Sequence, residues 1–459
     1  MPGIEHLVVL MLENRSFDHL LGFYTPADGG QRVDGLRGDE SNPVDPFAQG
    51  PKQSVVPVRR TSGVDGYVTD PDPPHDHDSV MVQLFCESRP AEDREPNNLG
   101  FYYRYSQVRD HDAPLAPDVA AHVMRCFSPA EQLPALNGLA QQFTVLDRWF
   151  ASVPGPTWPN RFFCHCATSG GHAANPGALD AVIAAVGRSK YPMPTVFEKL
   201  EEAGATWRIY YHDVPQSLDL GRLHAHLDHF SHYCRFLRDA AAGTLPSYAF
   251  IEPAYFDVPV LGLWANDMHP PHDARRGDRL IAEVYAALRA SPLWNRCALL
   301  VIWDEHGGFY DHVKPAKVVA PDDEVDASGF RFDRLGVRLP AVLASPWVAR
   351  GRVDSTPFEH ASVAATLRAL FGTTGFLSRR DASAAAFDHL FDQRAPRTDT
   401  PLTLPSAELG PAALVSPLTD HQRSLLALAE ALRSDDASPP VGSDRVASAI
   451  LHTARFLDV

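Results

Sequence analysis

The sequence predicts an α/β fold whose centre is a mostly parallel sheet between helices. Two long runs, HLVVLMLEN at residues 6–14 and RCALLVIWDEHGG at residues 296–308, have the length and apolar content of strands buried on both faces. Each run ends in polar, partly acidic residues, and further short apolar runs alternate with amphipathic segments along the chain. This alternation is typical of β-α-β units, in which ligands bind beyond the carboxyl ends of the strands.

The elements between and after these two strands follow in chain order. In TVFEKLEEAGATWRIYYH (195–212), an amphipathic helix over about residues 195–203 leads through Gly204 into a strand. A strong helix is predicted from one apolar stripe, formed by Leu280, Ile281, Val284, Tyr285 and Leu288. The remaining apolar runs are QQFTVLDRWFASV (141–153), SYAFIEP (247–253) and RLPAVLASPWV (338–348).

Two stretches depart from this alternation. Residues 29–73 are rich in Gly, Pro, Asp and Ser and hold β-prone fragments such as QSVVPVRR, which predicts a long loop insertion with room for a small hairpin. After residue 394 come Pro, Thr and Ser, and then the helical segments HQRSLLALAEALR and VASAILHTARFL. We predict a main domain over residues 1–394, and over residues 395–459 a linker with a helical C-terminal extension that packs on the domain without a catalytic element.

The composition excludes some functions and leaves others open. The 459 residues carry 41 Lys and Arg against 57 Asp and Glu, a formal net charge of −16. That balance excludes a non-specific nucleic-acid binder, which needs a basic surface to displace phosphate counterions. It does not exclude a small phosphate ester as ligand, because the local field of a pocket can oppose the net charge.

The first residues of the chain bear on its location. They lack a basic start, and their apolar run covers only residues 7–12, which is too short for a signal peptide or a membrane span. We expect a cytoplasmic protein, with secretion as the alternative if a signal peptide has been removed.

Oxygen-donor side chains follow both long strands. Glu13 and Asn14 come after the first strand, and Asp304 and Glu305 come after the second. Brought together at one edge of the sheet, they would suit Ca²⁺, Mg²⁺ or Mn²⁺, while Zn²⁺ or Fe also accept carboxylates. An acid after a strand is often only a helix cap or a solvated loop residue. The repetition at two strand ends favours a site for one divalent cation.

A rigid segment between these strands presents a hydroxyl group. In VPGPTWPNRFF (153–163), prolines and a glycine hold the backbone around Thr157 in a defined path before Asn160. A threonine hydroxyl is a weak nucleophile until a base or a metal ion activates it. A proline-rich turn that Thr157 merely caps is the alternative interpretation.

Histidines occur in three segments that carry polar chemistry. PDPPHDHDS holds His75 and His77, NDMHPPHD holds His269 and His272, and His306 precedes the glycine turn of DEHGGFYDHV. Because His269 and His272 precede a predicted helix, either could face an anion at its N-terminus or donate a proton to a leaving group. The sequence leaves open which of His75 and His77 faces the site.

Together these motifs resemble a known family. MLENRSFDHLLGFY, DRWFASVPGPTWPNRFF, HPPHD before a helix and WDEHGGFYDHV stand in this order in the chain. They resemble the bacterial and plant phosphoesterases, which include non-haemolytic and non-specific phospholipases C and related acid phosphatases of the alkaline phosphatase superfamily. The resemblance runs from residue 4 to about residue 391, and ASPLW and FEHASVAATLRALF make it close to the plant enzymes. It implies an alkaline-phosphatase-like fold with a catalytic domain over residues 1–394.

The resemblance also implies roles for the residues that match its motifs. We expect three sets of site residues, two of which share Asn14. The catalytic set is Thr157 as nucleophile with His75, His269 and His272, the substrate-binding set is Asn14, Asn160 and His306, and the metal set is Glu13, Asn14, Asp304 and Glu305.

The implied reaction is hydrolysis of a phosphate ester through a phosphothreonine intermediate. A phospholipase C acting on glycerophospholipids such as phosphatidylcholine is the favoured activity, which adds a transient membrane-surface contact to the expected partners. The alternatives are an acid phosphatase acting on monoesters and a non-catalytic metal-binding protein on the same scaffold. Lipid contact by the aromatic run at residues 101–105 is less expected than its packing in a core. The oligomeric state stays open.

Overall fold

The computed structural model describes residues 3–27, 30–48, 53–110, 112–177, 191–410, 417–432 and 443–457. Its centre is an eight-stranded sheet. In chain order the strands of this sheet are β1 (His6–Leu12), β2 (Thr144–Leu146), β3 (Trp207–Tyr211), β4 (Phe230–His232), β5 (Tyr248–Glu252), β6 (Cys297–Trp303), β7 (Ala341–Ala344) and β8 (Arg352–Asp354).

Strand direction confirms the predicted α/β class and its mostly parallel sheet. Across the sheet the strands follow the order β4-β3-β5-β1-β6-β7-β2-β8. All neighbours from β4 to β6 pair in parallel, as do β2 and β8, whereas β7 runs antiparallel to both β6 and β2. A parallel return needs a crossover, usually a helix. Residues 304–340 form no helix, so the chain re-enters the sheet in the opposite direction as β7.

Strands β1 and β6 lie side by side in the middle of the sheet. Strand β6 is buried at every position and β1 at every position after His6, which explains why both are continuous apolar runs in the sequence. Their register pairs Leu12 with Trp303, so both strands end at the same level. The polar residues that follow them therefore begin at adjacent points of the carboxyl edge.

Helices pack around this sheet. The predicted helix at 195–203 is present and begins after a Thr195 cap, whose hydroxyl accepts a hydrogen bond from the Glu198 N–H. The helices of the described residues are α1 (Phe17–Leu21), α2 (His77–Phe85), α3 (Phe101–Ser106), α4 (Pro117–Ala120), α5 (Pro129–Gln132), α6 (Pro134–Gln142), α7 (Thr157–Cys166), α8 (Val196–Glu202), α9 (Tyr233–Ala242), α10 (Ala274–Ala290), α11 (Ala361–Phe371), α12 (Arg379–Ser383), α13 (Asp420–Ala431) and α14 (Ser443–Leu457).

Short strands form small sheets in the loops. The expected hairpin of the insertion is present, since Ser41–Pro43 pairs antiparallel with Val55–Pro57. The predicted strand at 338–348 is divided by Pro340 into a two-residue strand and β7. The other short strands are Arg59–Arg60, Arg109–Asp110, Ala113–Pro114, Arg125–Cys126, Trp149–Phe150, Arg338–Leu339 and Phe358–Glu359.

The aromatic run of α3 is part of a hydrophobic core. Phe101, Tyr102 and Tyr105 are buried in a cluster with residues of α2 and with Phe309 and Tyr310. This placement matches the more expected of the two interpretations of the run, so these three rings do not form a lipid-facing rim.

The C-terminal tail contributes two helices, α13 and α14. Leu425, Leu428 and Ala429 of α13 belong to the main hydrophobic core, so this helix packs directly on the sheet domain. Across the described parts of the chain, no helix is both long enough and apolar enough to cross a membrane.

Candidate active site

Four predicted residues meet where β1 and β6 end. The Asn14 N–H donates to Asp304 Oδ1 over 3.1 Å, and the Arg15 N–H donates to the Glu305 carbonyl oxygen over 3.0 Å. Glu13, Asn14, Asp304 and Glu305 are all fully buried. We call these four residues the oxygen cluster.

The turn after β6 approaches this cluster closely. A Cβ atom at Gly307 would lie 2.2 Å from the Asn14 carbonyl oxygen, and Gly307 has a φ of 64°. Asn14 itself has a φ of 57°, a left-handed conformation that asparagine adopts more readily than most residues. The glycine that follows DEH is therefore required for the two strand ends to lie together.

Thr157 is the first residue of α7 and faces the oxygen cluster. Its hydroxyl donates to Glu13 Oε2 over 3.5 Å, and its side chain is fully buried. Asn160 lies one turn further and binds the backbone of the preceding loop. It accepts from the Val153 N–H at 3.1 Å and donates to the carbonyl oxygens of Gly155 and Pro156 at 3.0 and 3.1 Å. The structure thus places Asn160 as a support of the loop before Thr157, although substrate contact was expected.

Arg161 is a site residue to which the sequence analysis assigned no role. Its Nη2 lies 2.8 Å from Glu13 Oε1, and its Nε lies 3.1 Å from Asp304 Oδ2, in a fully buried ion-pair network. The available signal was its position four residues after Thr157, which places both side chains on one face of a helix.

The oxygen cluster fits a hard divalent cation. The Oδ1 of Asn14 and the Oε1 of Glu305 are buried, and neither has a hydrogen-bond partner among the described residues. The cluster has three carboxylates and one buried guanidinium beside them, that of Arg161, which pairs with Glu13 and Asp304, so negative charge is in excess. Burial raises the pKa of Glu13 well above its ordinary value, and it raises the pKa of Asp304 to about 6 although Arg161 opposes this shift. A cation would satisfy the free oxygens and the charge excess.

His75 and His269 lie next to this cluster. The Nε2 of His75 is 3.3 Å from the side-chain nitrogen of Asn14, and the two imidazole centroids are 5.5 Å apart. The Nδ1–H of His269 donates to the Pro270 carbonyl oxygen over 2.5 Å, which leaves its buried Nε2 without a hydrogen-bond partner. His77 is turned away, because its Nδ1–H donates to the Pro154 carbonyl oxygen. The structure therefore assigns His75 to the site.

The pKa values of the two site imidazoles are shifted in opposite directions. Burial lowers the pKa of His75, but the neighbouring carboxylates of Glu305 and Asp72 outweigh it and raise the pKa to about 9. Burial, together with the nearby His75 and His272, lowers the pKa of His269 well below its ordinary value. The raised pKa favours the protonated form of His75, and the lowered pKa favours the neutral form of His269.

Asp72 extends the site beyond the predicted residues. Its carboxylate and the imidazoles of His75 and His269 place ligand atoms within 4.8 Å of one another, so they form a second group that could hold a metal ion. Burial raises the pKa of Asp72 to about 7. Two further groups of this kind lie elsewhere in the described chain. They consist of Glu201, His226 and His229, and of Asp18, Asp311 and His312.

Asp267 organises the HPPHD segment and was not predicted. Its Oδ1 accepts from the His269 N–H at 3.0 Å and lies 2.7 Å from His272 Nδ1. Its carbonyl oxygen accepts from the Glu13 N–H at 2.8 Å, which ties the segment to the end of β1. The Nε2 of His272 lies 3.2 Å from the Gln422 side-chain nitrogen, so His272 sits between Asp267 and the C-terminal tail.

His421, in the first turn of α13, also reaches the site. Trp158 Nε1–H donates to His421 Nδ1 over 2.9 Å, so the proton of the imidazole is on Nε2, which lies 3.5 Å from Glu13 Oε1. His421 is only 1% exposed. The sequence analysis treated the tail as free of catalytic elements, and no local pattern distinguishes this histidine from a solvated one.

His306 contacts the oxygen cluster through Glu305. Its Nδ1 is 3.2 Å from Glu305 Oε2 and its Nε2 is 2.8 Å from Gln83 Oε1, and the ring is buried. Both ring nitrogens are therefore engaged with protein groups. The structure places His306 as a neighbour that orients Glu305, where the sequence analysis expected substrate contact.

Comparison with known proteins identifies the family. The model of the Phosphoesterase family matches residues 4–374. Non-specific phospholipase C6 of Arabidopsis thaliana is 38% identical over 94% of this chain and 81% of its own length. Non-specific phospholipase C1 of the same plant is 38% identical over 97% of this chain and 83% of its own length. The second match is wide enough to include most of the C-terminal tail, which the motif resemblance left out.

More distant proteins also match. Non-hemolytic phospholipase C of Burkholderia pseudomallei (strain K96243) is 27% identical over 80% of this chain and 55% of its own length. The solved structure of a protein in the alkaline phosphatase superfamily from Vibrio parahaemolyticus is 14% identical, with a TM-score of 0.32, over 56% of this chain and 65% of that chain. The family model and the plant relatives cover most of the sequence at substantial identity, so the chain belongs to the Phosphoesterase family and is a phosphoric ester hydrolase.

Proposed function

We propose that this chain is a metal-dependent phospholipase C that cleaves glycerophospholipids with Thr157 as its nucleophile. The observation that carries the proposal is the position of the Thr157 hydroxyl, 3.5 Å from Glu13 Oε2 and buried at the oxygen cluster. Plant relatives named non-specific phospholipases C, 38% identical over nearly the whole chain, support the diester substrate.

The residues around Thr157 suit an in-line displacement at phosphorus. The Thr157 oxygen attacks the phosphorus atom, the bond between phosphorus and the glyceride oxygen breaks, and diacylglycerol leaves. This step produces a phosphothreonine that still carries the head group. Water then attacks the same phosphorus, releases the phosphorylated head group and restores the threonine.

The protein groups divide the remaining tasks. Glu13 Oε2 is the hydrogen-bond acceptor of the Thr157 hydroxyl, and Arg161 holds the carboxylates of Glu13 and Asp304 in place through its two ion pairs. His75 lies beside the Asn14 side chain, and His269 lies beside His75, where they could hydrogen-bond phosphoryl oxygens and protonate the leaving alcohol. A divalent cation bound by the oxygen cluster would supply Lewis-acid stabilisation of the charge on the reacting oxygens.

A substrate panel tests the proposal. Purified protein is assayed with phosphatidylcholine, with the soluble diester p-nitrophenylphosphorylcholine and with the monoester p-nitrophenyl phosphate, and its metal content is measured by elemental analysis. We expect faster hydrolysis of both diesters than of the monoester, with about one divalent ion per chain. Preferential hydrolysis of the monoester would instead indicate an acid phosphatase. Full activity in a preparation that elemental analysis finds free of metal would remove the metal from the mechanism.

A further inference from the structure

A short turn next to the site exposes consecutive apolar residues. Residues 259–263, with the sequence PVLGL, are all exposed, and we call them the apolar turn. Val260 is 63% exposed, and Leu261 and Leu263 are each 38% exposed. Helix α14 contacts Pro259–Leu261, yet these side chains stay in contact with solvent. Apolar side chains exposed singly are ordinary on protein surfaces, whereas a cluster of them indicates an interaction site.

The backbone of the apolar turn is hydrogen-bonded and closed. The N–H of Val258 donates to the Leu263 carbonyl oxygen at 2.8 Å, and the N–H of Leu263 donates back to the Val258 carbonyl oxygen at 3.2 Å. Gly262 has a φ of 66°, which allows the chain to reverse after a 3₁₀ turn over Pro259–Leu261. The buried Val258 anchors the base. The turn therefore presents its apolar side chains in a defined arrangement.

The base of this segment is part of the candidate active site. The Ala254 N–H donates to Asn266 Oδ1 at 2.7 Å, and the Asn266 N–H donates to the Ala254 carbonyl oxygen at 3.0 Å. Ala254 is followed in the chain by Tyr255, whose ring centroid lies 5.5 Å from the guanidinium of Arg161. Asn266 is followed by Asp267, whose carboxylate contacts the His269 N–H and the His272 imidazole. Whatever the turn binds is therefore brought close to the catalytic groups.

Groups suited to a lipid interface flank the turn. Trp264 follows it directly, and the guanidinium of Arg276 lies 4.9 Å from the centroid of the indole ring. Arg276 and Arg279 line the same recess as Leu263 and Trp264, together with Glu283. Tryptophan and arginine are the side chains that sit at the head-group level of a bilayer, with apolar residues below them.

We infer that the apolar turn inserts into a phospholipid surface and thereby brings the active site to its substrate. This inference rests on the proposed phospholipase activity. Val260, Leu261 and Leu263 enter the acyl region, while Trp264 and Arg276 lie among the head groups. The interaction is driven mainly by burial of apolar surface, because the net charge of −16 opposes attraction to anionic lipid.

Vesicle sedimentation tests the inference with a matched control. The bound fraction is measured with sucrose-loaded phosphatidylcholine vesicles for the wild type, for V260E/L261E and for V64E. Val64 is 80% exposed in a different loop, so V64E adds an exposed charge without touching the turn. We expect V260E/L261E to bind at least about ten-fold more weakly, because two buried apolar side chains are lost from the interface. V64E should bind like the wild type. V260S/L261S, which adds no charge, should show an intermediate loss.

Hydrolysis of a soluble substrate and of a vesicle substrate completes the test. Hydrolysis of p-nitrophenylphosphorylcholine should be the same in all three variants and the wild type, whereas hydrolysis of vesicle phosphatidylcholine should fall with binding in the turn variants. If the wild type cleaves neither substrate, the proposed function fails while sedimentation still decides the role of the turn.

Three results would overturn the inference. The first is unchanged vesicle binding by V260E/L261E and V260S/L261S, and the second is an equal loss in V64E. The third is a change of oligomeric state on size exclusion without a change in vesicle binding, which would mean that a second copy of the chain covers the turn.

Discussion

His421 Nε2 lies 3.5 Å from Glu13 Oε1, so the first turn of helix α13, in the C-terminal tail, contacts the residue that follows the first strand. The same imidazole accepts a hydrogen bond from Trp158, the residue after the proposed nucleophile. Through these two contacts, His421 links the C-terminal tail to Glu13 after β1 and to helix α7, which begins at Thr157.

Replacement of His421 by alanine should lower kcat about 10- to 100-fold, the range typical of groups that orient a ligand of a catalytic site. KM should change little, because the imidazole acts through Glu13. His452→Ala is the control, since His452 lies on α14 beside the Leu432 carbonyl oxygen. Steady-state kinetics on the soluble diester measure both variants. Equal kcat values for His421→Ala and the wild type would show that the contact is only structural.

Replacement of Thr157 by alanine should lower diester hydrolysis by at least about 10³-fold, because no oxygen remains to attack phosphorus. Thr157→Ser keeps a hydroxyl at the start of α7 and should retain measurable turnover. Circular dichroism should show the same fold for both variants. A wild-type rate in Thr157→Ala would exclude this residue as nucleophile.

Replacement of Arg161 by methionine should lower the free energy of unfolding by about 3–5 kcal/mol, because it leaves the buried carboxylates of Glu13 and Asp304 without their cation. Saturating divalent cation should recover part of this loss, since it would compensate the same charges. Urea unfolding with and without the cation provides the measurement. Arg296→Met breaks the exposed ion pair with Glu5 and should cost about 1 kcal/mol or less. A similar small loss for Arg161→Met would contradict the buried network.

His312 should make stability depend on pH above neutrality. Burial lowers its pKa, but hydrogen bonding to Asp18 and the nearby Asp311 raise it from 6.5 to about 9. Its ion pair therefore stabilises the fold fully below pH 6.5, and this contribution is lost as the pH rises through about 9. A pKa difference of this size corresponds to about 3 kcal/mol.

Urea unfolding of the wild type and His312→Gln across pH 6 to about 10 checks this dependence. The free energy of unfolding of the wild type should fall over this range more steeply than that of the variant. Parallel curves for the two proteins would assign the pH dependence to other groups.

Local sequence patterns predicted the elements that carry the site. The apolar runs that became β1 and β6 end in the residues of the oxygen cluster, because strands buried on both faces need continuous apolar side chains and polar groups can appear only where they end. Prolines and a glycine around Thr157 indicate a restricted backbone, but its selection as the nucleophile needed the motif resemblance, because the local pattern also fits a proline-rich turn. The sequence identified the segments that contain the histidines, but it did not show whether His75 or His77 faces Asn14.

Other residues of the site could not be found in this way. Arg161 lies within a helix whose ten residues are all buried, and only the nearby ends of β1 and β6 supply the carboxylates that make its burial tolerable. Asp267 is one carboxylate among many in an acidic chain. The antiparallel direction of β7 depends on the path of a long connection that has no helix.

By itself, the sequence determined the α/β class and the two central strands with their polar ends, whereas the proposed role of Thr157 came from the motif resemblance to the phosphoesterases. The fold class and the strands depend on periodicity and on neighbours within a few positions, which a linear pattern records. Only the tertiary structure decided that His75 rather than His77 faces Asn14. It also placed Asn160 against the loop before Thr157, His306 against Glu305 and His421 beside Glu13. These assignments depend on which side chains meet across long stretches of chain. Packing of the helices against the sheet sets those contacts, and no local pattern encodes them.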